Sequence, residues 1–193
     1  MLNIKANAAD ALGATMQMGN SAENKVKGGG VFTVQCFDKD GNLKWEAKKN
    51  NLVVNVGLKD MNEKFFTGSS YTATWYIGLY GAAASNNPAA ADTMSSHAGW
   101  TEVTAYSQAT RPQAVFAGAT TADPSVISNT ASPAVFSVNG TTTVGGAFLA
   151  SNNTKGGTTG ILFSAADFQA PGDRSVVSGD ILNVTYSFSL DAA

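Results

Sequence analysis

The sequence predicts a mainly β protein: an antiparallel β-sandwich, with a jelly roll as one form of it, that carries one short helix and an extended N-terminal arm. After residue 30, short segments alternate apolar and polar residues, and clusters of Gly, Asn, Asp and Ser separate them. About eight or nine such strands with regularly spaced turns are typical of a sandwich. No repeat of fixed period is present, which argues against a solenoid or a propeller.

The first 30 residues are predicted to form the arm, and residues 31–193 the β-sandwich domain. The arm is rich in small and polar residues and ends in Lys27-Gly28-Gly29-Gly30, a composition typical of a flexible joint. Terminal segments become ordered only where something holds them. We therefore expect a neighbouring subunit to bind the arm, and an arm folded along its own domain is the alternative.

The domain is predicted to begin with a β-hairpin. Val31–Phe37 and Leu43–Ala47 have period two, and the Asp-Gly pair between them matches the twist of hairpin strands. We expect the hairpin lysines to form a solvated face, with contact to an acidic partner surface as the alternative: Lys44, Lys48 and Lys49.

One helix is predicted after the hairpin. Asn55 can cap its N-terminus, and Gly68 stands where a helix stop is expected. Between them Leu58, Met61 and Phe65 recur at three- and four-residue spacing. We expect this apolar face to pack on a sheet.

Strands and one long loop make up the rest of the chain. Residues 72–80 alternate cleanly and predict a half-buried strand with Trp75, Ile77 and Leu79 on the buried face. Residues 81–100 form a loop too long for an ordinary connection, so we expect it to lie on a partner or to cap the domain. Further strands are predicted at Glu102–Tyr106, Gln113–Ala117, Ala134–Val138, Val144–Leu149, Ile161–Phe163 and Ile181–Leu190. In the last, the inward residues are predicted to be Leu182, Val184, Tyr186, Phe188 and Leu190.

The composition favours a subunit of an assembly over a free enzyme. Only 13% of the residues are charged and 44% are hydrophobic, so small uncharged residues dominate the expected surface. A net charge of −2 with only two arginines argues against nucleic acid as a partner. Cys36 is the only cysteine, so no intramolecular disulfide can form, and folding in a reducing cytoplasm is expected. The start of the sequence has no secretory pattern and no apolar run approaches a membrane span, so we expect neither export by that route nor contact with a membrane.

Residues able to carry chemistry are few. His97 is the only histidine, which excludes multi-histidine metal sites. A catalytic role would pair it with Ser95, Ser96 or Cys36, and no nucleophile-elbow motif accompanies them. We therefore predict a loop histidine with local hydrogen bonds, and no catalytic, cofactor-binding or metal-binding residues.

The hairpin turn resembles the start of a calcium loop but departs from it. Asp38, Asp40 and Asn42 have the spacing of the first ligands, whereas Leu43 replaces the required glycine and Lys49 the required glutamate. The tight turn of a hairpin explains these residues better.

Aromatic residues could also form a platform for a sugar, because flat rings stack on sugars. Strand alternation already buries Trp75, and aromatic residues of a sandwich belong more often to the core or to a subunit interface. The residues considered are Trp75, Trp100, Tyr76, Tyr80 and Tyr106.

Several segments of the sequence, taken together in their order along the chain, resemble segments of a known protein family. They are Asn51–Leu58, Thr74–Tyr80, Asp92–Val103, Tyr106–Pro112, Gly145–Leu149, Asn152–Gly160 and the final strand. Together they resemble a family of small virion structural proteins of tailed phages and prophages. The similarity runs from about Val31 to Leu190, and the long arm before it departs from shorter members of that family. None of these motifs carries chemistry.

The resemblance implies a capsid decoration or cement protein, made in the host cytoplasm and located on the capsid surface of the virion. Its partners would be the outer face of the major capsid protein lattice and the chain itself, as a homotrimer or homodimer that fits the lattice symmetry. One alternative is a head-fibre or tail-fibre module that binds a host surface glycan, with Trp100, Tyr80 and Arg111 as the positions to inspect. Another is a virion-associated hydrolase, which needs a pair of acids or a nucleophile with a base.

The residues predicted to contact partners lie in the arm and in the turn around the histidine. They are Met1, Leu2, Ile4, Met16, Met18, Lys25, Lys27, His97 and Trp100.

Overall fold

The strands of the protein pair in antiparallel fashion, and most of them form two stacked sheets. The structure is a computed structural model that describes residues 26–69, 74–81, 88–168 and 172–192. The elements in these residues are β1 (Val26–Phe37), β2 (Leu43–Asn50), β3 (Leu52–Val53), α1 (Asn55–Phe66), β4 (Trp75–Gly81), β5 (Thr101–Glu102), β6 (Gln113–Ala114), β7 (Ser125–Ser128), β8 (Ala134–Ser137), β9 (Thr142–Val144), β10 (Gly146–Ala150), β11 (Leu162–Asp167), β12 (Arg174–Val176) and β13 (Ile181–Ala192).

The first sheet has the strand order β2-β1-β13-β7, and β8 pairs with the beginning of β13 beside β7. The second has the order β3-β11-β10-β4-β5, and β6 pairs with the beginning of β4. Strands β9 and β12 form a separate small ribbon. For the described residues, the predicted antiparallel β-sandwich with one helix is confirmed.

The main core lies between the two sheets. Side chains from β1, β8 and β13 meet those from β4, β10 and β11, as expected for alternating strands that each send one face inward. The final strand follows its prediction for Leu182, Val184, Tyr186 and Phe188, which are all buried. Leu190 is 38% exposed, because β13 extends past the edge of the core there.

The predicted flexible joint before Val31 is wrong. Residues 26–30 belong to β1 and pair with β13 in continuous register, from Val26 opposite Ala192 to Gly30 opposite Phe188. A Cβ on Gly30 would lie 2.6 Å from the hydroxyl oxygen of Tyr186. Glycine is therefore needed for a close approach between neighbouring strands, a role that composition alone cannot distinguish from flexibility.

The predicted face of helix α1 is correct only for Met61. Met61 is partly buried against the main core, whereas Leu58 and Phe65 are exposed, and the helix also buries Gly57 and Asp60. A Cβ on Gly57 would overlap the carbonyl oxygen of Phe163, so the helix backbone itself lies against β11. Asn55 is the first helical residue rather than the cap, which is Val54. The stop was predicted correctly, because Gly68 has a φ of 68°.

Strand β4 is buried on both faces, although the sequence predicts a half-buried strand. Ile77 and Leu79 face the main core, whereas Tyr80 belongs to a second core with Phe148 and Trp100 on the outer side of the second sheet. In this second core the rings of Tyr80 and Phe148 each lie over a glycine of the neighbouring strand. Tyr80 pairs with Gly146, and Phe148 pairs with Gly78.

Other strand boundaries differ from the prediction. The predicted strand Glu102–Tyr106 is reduced to β5, and Tyr106 makes only an isolated bridge to Val138. Val144–Leu149 is divided between β9 and β10, and β11 continues four residues past Phe163 to Asp167. Three strands were not predicted, namely β3, β7 and β12. All three are short, so they present too few residues for an alternating pattern.

Cys36 is expected to react slowly with thiol reagents in the folded protein. Its side chain is fully buried, and burial together with the nearby Asp180 carboxylate raises its pKa from 9.0 to about 11. At pH 8 the thiolate fraction should fall about 100-fold relative to the unfolded chain. The measurement is the rate of labelling by an aromatic disulfide at pH 8, with and without guanidinium. Equal rates in the two conditions would contradict the burial.

Because the pKa of Cys36 is higher in the folded protein than in the unfolded chain, the stability that this thiol contributes is complete below pH 9.0 and is lost as the pH rises toward 11.

Candidate interaction surface

The predicted partner-binding residues are only partly covered by the structure. Met1, Leu2, Ile4, Met16, Met18 and Lys25 lie outside the described residues. Lys27 is exposed in β1, opposite Asp191 of β13. His97 and Trp100 lie in the loop that follows β4.

His97 makes the local hydrogen bond that the sequence predicts. Its ring stacks on Trp100 with the ring centroids 3.8 Å apart, and its Nδ1 lies 3.0 Å from the Trp100 carbonyl oxygen. Trp100 is only 4% exposed, and its Nε1 donates a 3.3 Å hydrogen bond to Asp92. Trp100 therefore serves its own domain as a core residue, and of this pair only His97 has a partly exposed side chain.

The described part of the long loop, residues 88–100, caps the domain. Met94 and Trp100 are buried against Tyr80 and Phe148, with the Trp100 ring centroid 4.9 Å and 5.2 Å from theirs. The second sheet is thus covered by helix α1 and by this loop. Of the two expectations for the loop, capping describes these residues.

The positions considered for a sugar groove are buried. Trp100 and Tyr80 lie in the second core, and Arg111 is 1% exposed. Tyr106 is buried as well. A groove with exposed rings is therefore not formed at these positions.

Arg111 is the centre of a buried polar network. Its Nε donates to Glu102 Oε1 at 2.9 Å, and its Nη2 donates to Glu102 Oε2 at 2.6 Å. Nη1 donates to the carbonyl oxygen of Asn152 at 2.8 Å, and Nη2 also donates to that of Gly157 at 2.7 Å. The guanidinium also lies over the ring of Phe148, 5.2 Å from the centroid. Arg111 thus fastens the loop at residues 151–161 to β5, which is a structural role.

In the turn of the first hairpin, the carboxylate of Asp38 accepts hydrogen bonds from other residues of the same turn. Asp38 Oδ1 accepts hydrogen bonds from the backbone amides of Asp40 and Asn42, both at 2.9 Å, and Oδ2 accepts one from the Asn42 side chain at 3.0 Å. The bonds from Asn42 lower the pKa of Asp38. A shallow, open depression of about 420 Å³ lies beside this turn, lined by residues 37–41 with Ile181 and Asn183. Among the described residues, no three His, Cys, Asp or Glu side chains are grouped so as to hold a metal ion.

The two most exposed large apolar side chains of the described residues are neighbours at the end of helix α1. Phe65 is 83% exposed and Phe66 77%, and their rings contact edge to face with centroids 4.9 Å apart. We call these two residues the aromatic patch. Large exposed apolar side chains in a contiguous group mark sites of interaction.

The sequence contains an indication of this patch that the three- and four-residue spacing of apolar residues does not take into account. Phe65 and Phe66 are consecutive, so they lie about 100° apart on the helix and cannot both face one sheet. Gly57 and Asp60 together mark the opposite side, because a small residue permits the close approach of the helix to β11. If Gly57 is taken as the point of contact with a sheet, the sequence predicts that Phe65 and Phe66 face outward.

The chain matches no protein-family model, no curated protein and no solved structure. In the described ranges, no helix has the length and apolar character needed to cross a membrane.

Proposed function

We propose that the protein is a structural component of a tailed-phage virion, a capsid decoration protein that binds the outer surface of the major capsid lattice. The exposure of Phe65 and Phe66 on a helix fixed to a sheet carries this proposal. The resemblance of segments 51–58, 74–80 and 92–103 to small virion proteins supplies the class of partner.

The aromatic patch has the properties of an anchor. Helix α1 is held by the close contact of Gly57 with β11, so the two rings are presented in place before binding. A pre-organised aromatic pair loses little conformational freedom on binding, and such residues dominate the binding energy of many interfaces. The ion pair between Lys59 and Glu63, 2.7 Å long, lies on the same helix and can form part of a polar rim.

Binding to a lattice does not require a large contact for each copy. Each subunit can bury a modest area, since contacts between neighbouring copies add through avidity. A surface with few charges favours such packing, and only 13% of this chain is charged. Glycan binding is not favoured by the positions considered for it, because Trp100, Tyr80 and Arg111 are buried.

The proposal is tested by mixing the purified protein with expanded capsids that lack it and measuring the copy number by co-sedimentation. Wild type is expected to bind saturably at a copy number set by the lattice. The double variant Phe65→Ser/Phe66→Ser should lose at least roughly 30-fold in affinity, because the loss of even one anchor residue of this kind costs about 2 kcal/mol. Both side chains are exposed, so the variant should keep the thermal unfolding temperature of wild type.

The matched control is Val115→Ser/Val135→Ser, which removes two exposed apolar side chains, 48% and 41% exposed, outside the patch. It should bind like wild type. Equal binding by both double variants would reject the patch as the anchor. Binding of only a few copies at a vertex would indicate a fibre or tail component instead.

A deletion of residues 1–25 tests the arm separately. It leaves strand β1 intact, because β1 begins at Val26. Weaker capsid binding by this variant would support arm docking on a neighbouring subunit. Unchanged binding would indicate that the aromatic patch attaches the protein without the arm.

A further inference from the structure

Strand β2 is an open edge of the first sheet. It pairs with β1 on one side, and in the described part of the chain no strand pairs with its other side. At eight residues it is long for an unprotected edge. Such an edge presents unpaired backbone groups and can accept a strand from another chain.

The pairing with β1 shows which residues of β2 direct their backbone groups outward. Asn51 N donates to Gly30 O at 2.8 Å, and Gly30 N donates to Asn51 Oδ1 at 2.6 Å, so Gly30 faces the β2 side. Every second residue along β1 then bonds with β2, which leaves Glu46, Lys48 and Asn50 with N–H and C=O groups directed to the open side.

We infer that two copies of this chain pair through their β2 strands, antiparallel, about a two-fold axis at Ala47. In this register Glu46 lies opposite Lys48 of the second copy, and Lys48 lies opposite its Glu46. Each of these pairs joins residues whose backbone groups both point outward, so each can exchange both backbone hydrogen bonds. Opposite charges directly across an antiparallel pair stabilise it.

Other registers are less favourable. An axis at Glu46 opposes two glutamates, and an axis at Lys48 opposes two lysines. A two-fold axis midway between two residues would place residues whose backbone N–H and C=O groups point outward opposite residues whose groups point toward β1, so the hydrogen bonds between copies could not form. An axis at Trp45 would oppose Glu46 and Lys44 with a shorter overlap, and Lys44 already forms a 2.6 Å ion pair with Asp180.

Lysines on an edge strand normally prevent pairing, because an incoming strand would meet uncompensated charge. Here the order Glu46-Ala47-Lys48 is complementary to itself when antiparallel, so the same charges that exclude other strands select a second copy. On the inner side of the sheet the register also places Trp45 opposite Lys49 of the second copy. An ammonium group over an indole ring is favourable.

This pairing is independent of the capsid role, since β2 and the aromatic patch are different surfaces. Sedimentation velocity over a range of concentrations is expected to show wild type converting from one chain to two. Glu46→Lys and Lys48→Glu should each weaken dimerisation by at least about tenfold, since each places like charges opposite one another twice. The double exchange Glu46→Lys/Lys48→Glu should restore the dimer. A wild type that stays monomeric, or a dimer insensitive to these single changes, would overturn the inference.

A cysteine cross-link reports the register directly. Ala47→Cys should form a disulfide between copies under mild oxidation, because the two Cα atoms at the axis would be about 4.5 Å apart. Asn50→Cys is the control and should not cross-link, since its two copies would lie roughly 20 Å apart along the strands. Cross-linking of Asn50→Cys in place of Ala47→Cys would overturn the proposed register.

Discussion

Replacing Arg111 by methionine is expected to lower the free energy of unfolding by about 3–5 kcal/mol. The change leaves the carboxylate of Glu102 buried without its bidentate partner, since the side chains of Arg111 and Glu102 are 0% and 8% exposed. It also removes the donors that reach the carbonyl oxygens of Asn152 and Gly157. Methionine keeps most of the apolar contact with Phe148, so the loss measures the polar network. Urea unfolding followed by tryptophan fluorescence gives the free energy.

Two comparisons make this result specific. Lys59→Met removes a partner of an exposed ion pair with Glu63, and it should change the stability by at most about 0.5 kcal/mol. The double variant Arg111→Met/Glu102→Leu should recover part of the loss, because no carboxylate is then left unpaired. A single Arg111→Met variant within 1 kcal/mol of wild type, on the order of the value of an exposed pair, would show that the network is not buried in solution.

The sequence predicted the elements that local patterns define. The first hairpin follows from alternation around an Asp-Gly turn, and the final strand follows from its long run of period two, as both occur in the structure. Helix α1 was predicted in place, but of its predicted apolar face only Met61 packs inward. Leu58 and Phe65 have the expected spacing and are exposed, and Gly57 makes the close contact with β11. Periodicity counts apolar side chains and gives no weight to a glycine that lets two backbones meet.

The candidate surface was only partly predictable for the same reason. The sequence directed attention to Trp100, an aromatic residue in a loop, which is a core residue. It assigned Phe65 to the core, and this residue is exposed. Whether a large apolar residue faces in or out depends on which side of its element a neighbour covers. That neighbour, β11 for the helix and the second sheet for the loop, is distant in sequence.

The two surfaces proposed for binding differ in chemistry, so they suit different partners. The aromatic patch is apolar and presented by a rigid helix, so it suits a partner with an apolar depression. The β2 edge carries alternating charges and unpaired backbone groups, so it suits a strand of matching register. If both proposals hold, a dimer would carry two patches, and its attachment to a lattice would be stronger than that of either copy.

Replacing Gly146 by alanine is expected to lower the free energy of unfolding by about 2–3 kcal/mol, the upper part of the range for overpacking in a filled core. A Cβ at this position would overlap the ring of Tyr80 and the carbonyl oxygen of Ala166. The ring cannot turn away, because it is packed against Trp100, and the carbonyl belongs to the paired strand β11. Alanine alone would favour the strand by about 0.5–1 kcal/mol over glycine, so a net loss measures the clash. Gly29→Ala is the matched control in β1, where a Cβ would have nothing within 4 Å, and it should be neutral or slightly stabilising in the same urea titration. If the two alanine variants had equal stability, the ring of Tyr80 would not lie over Gly146, and the second core would have to be packed differently.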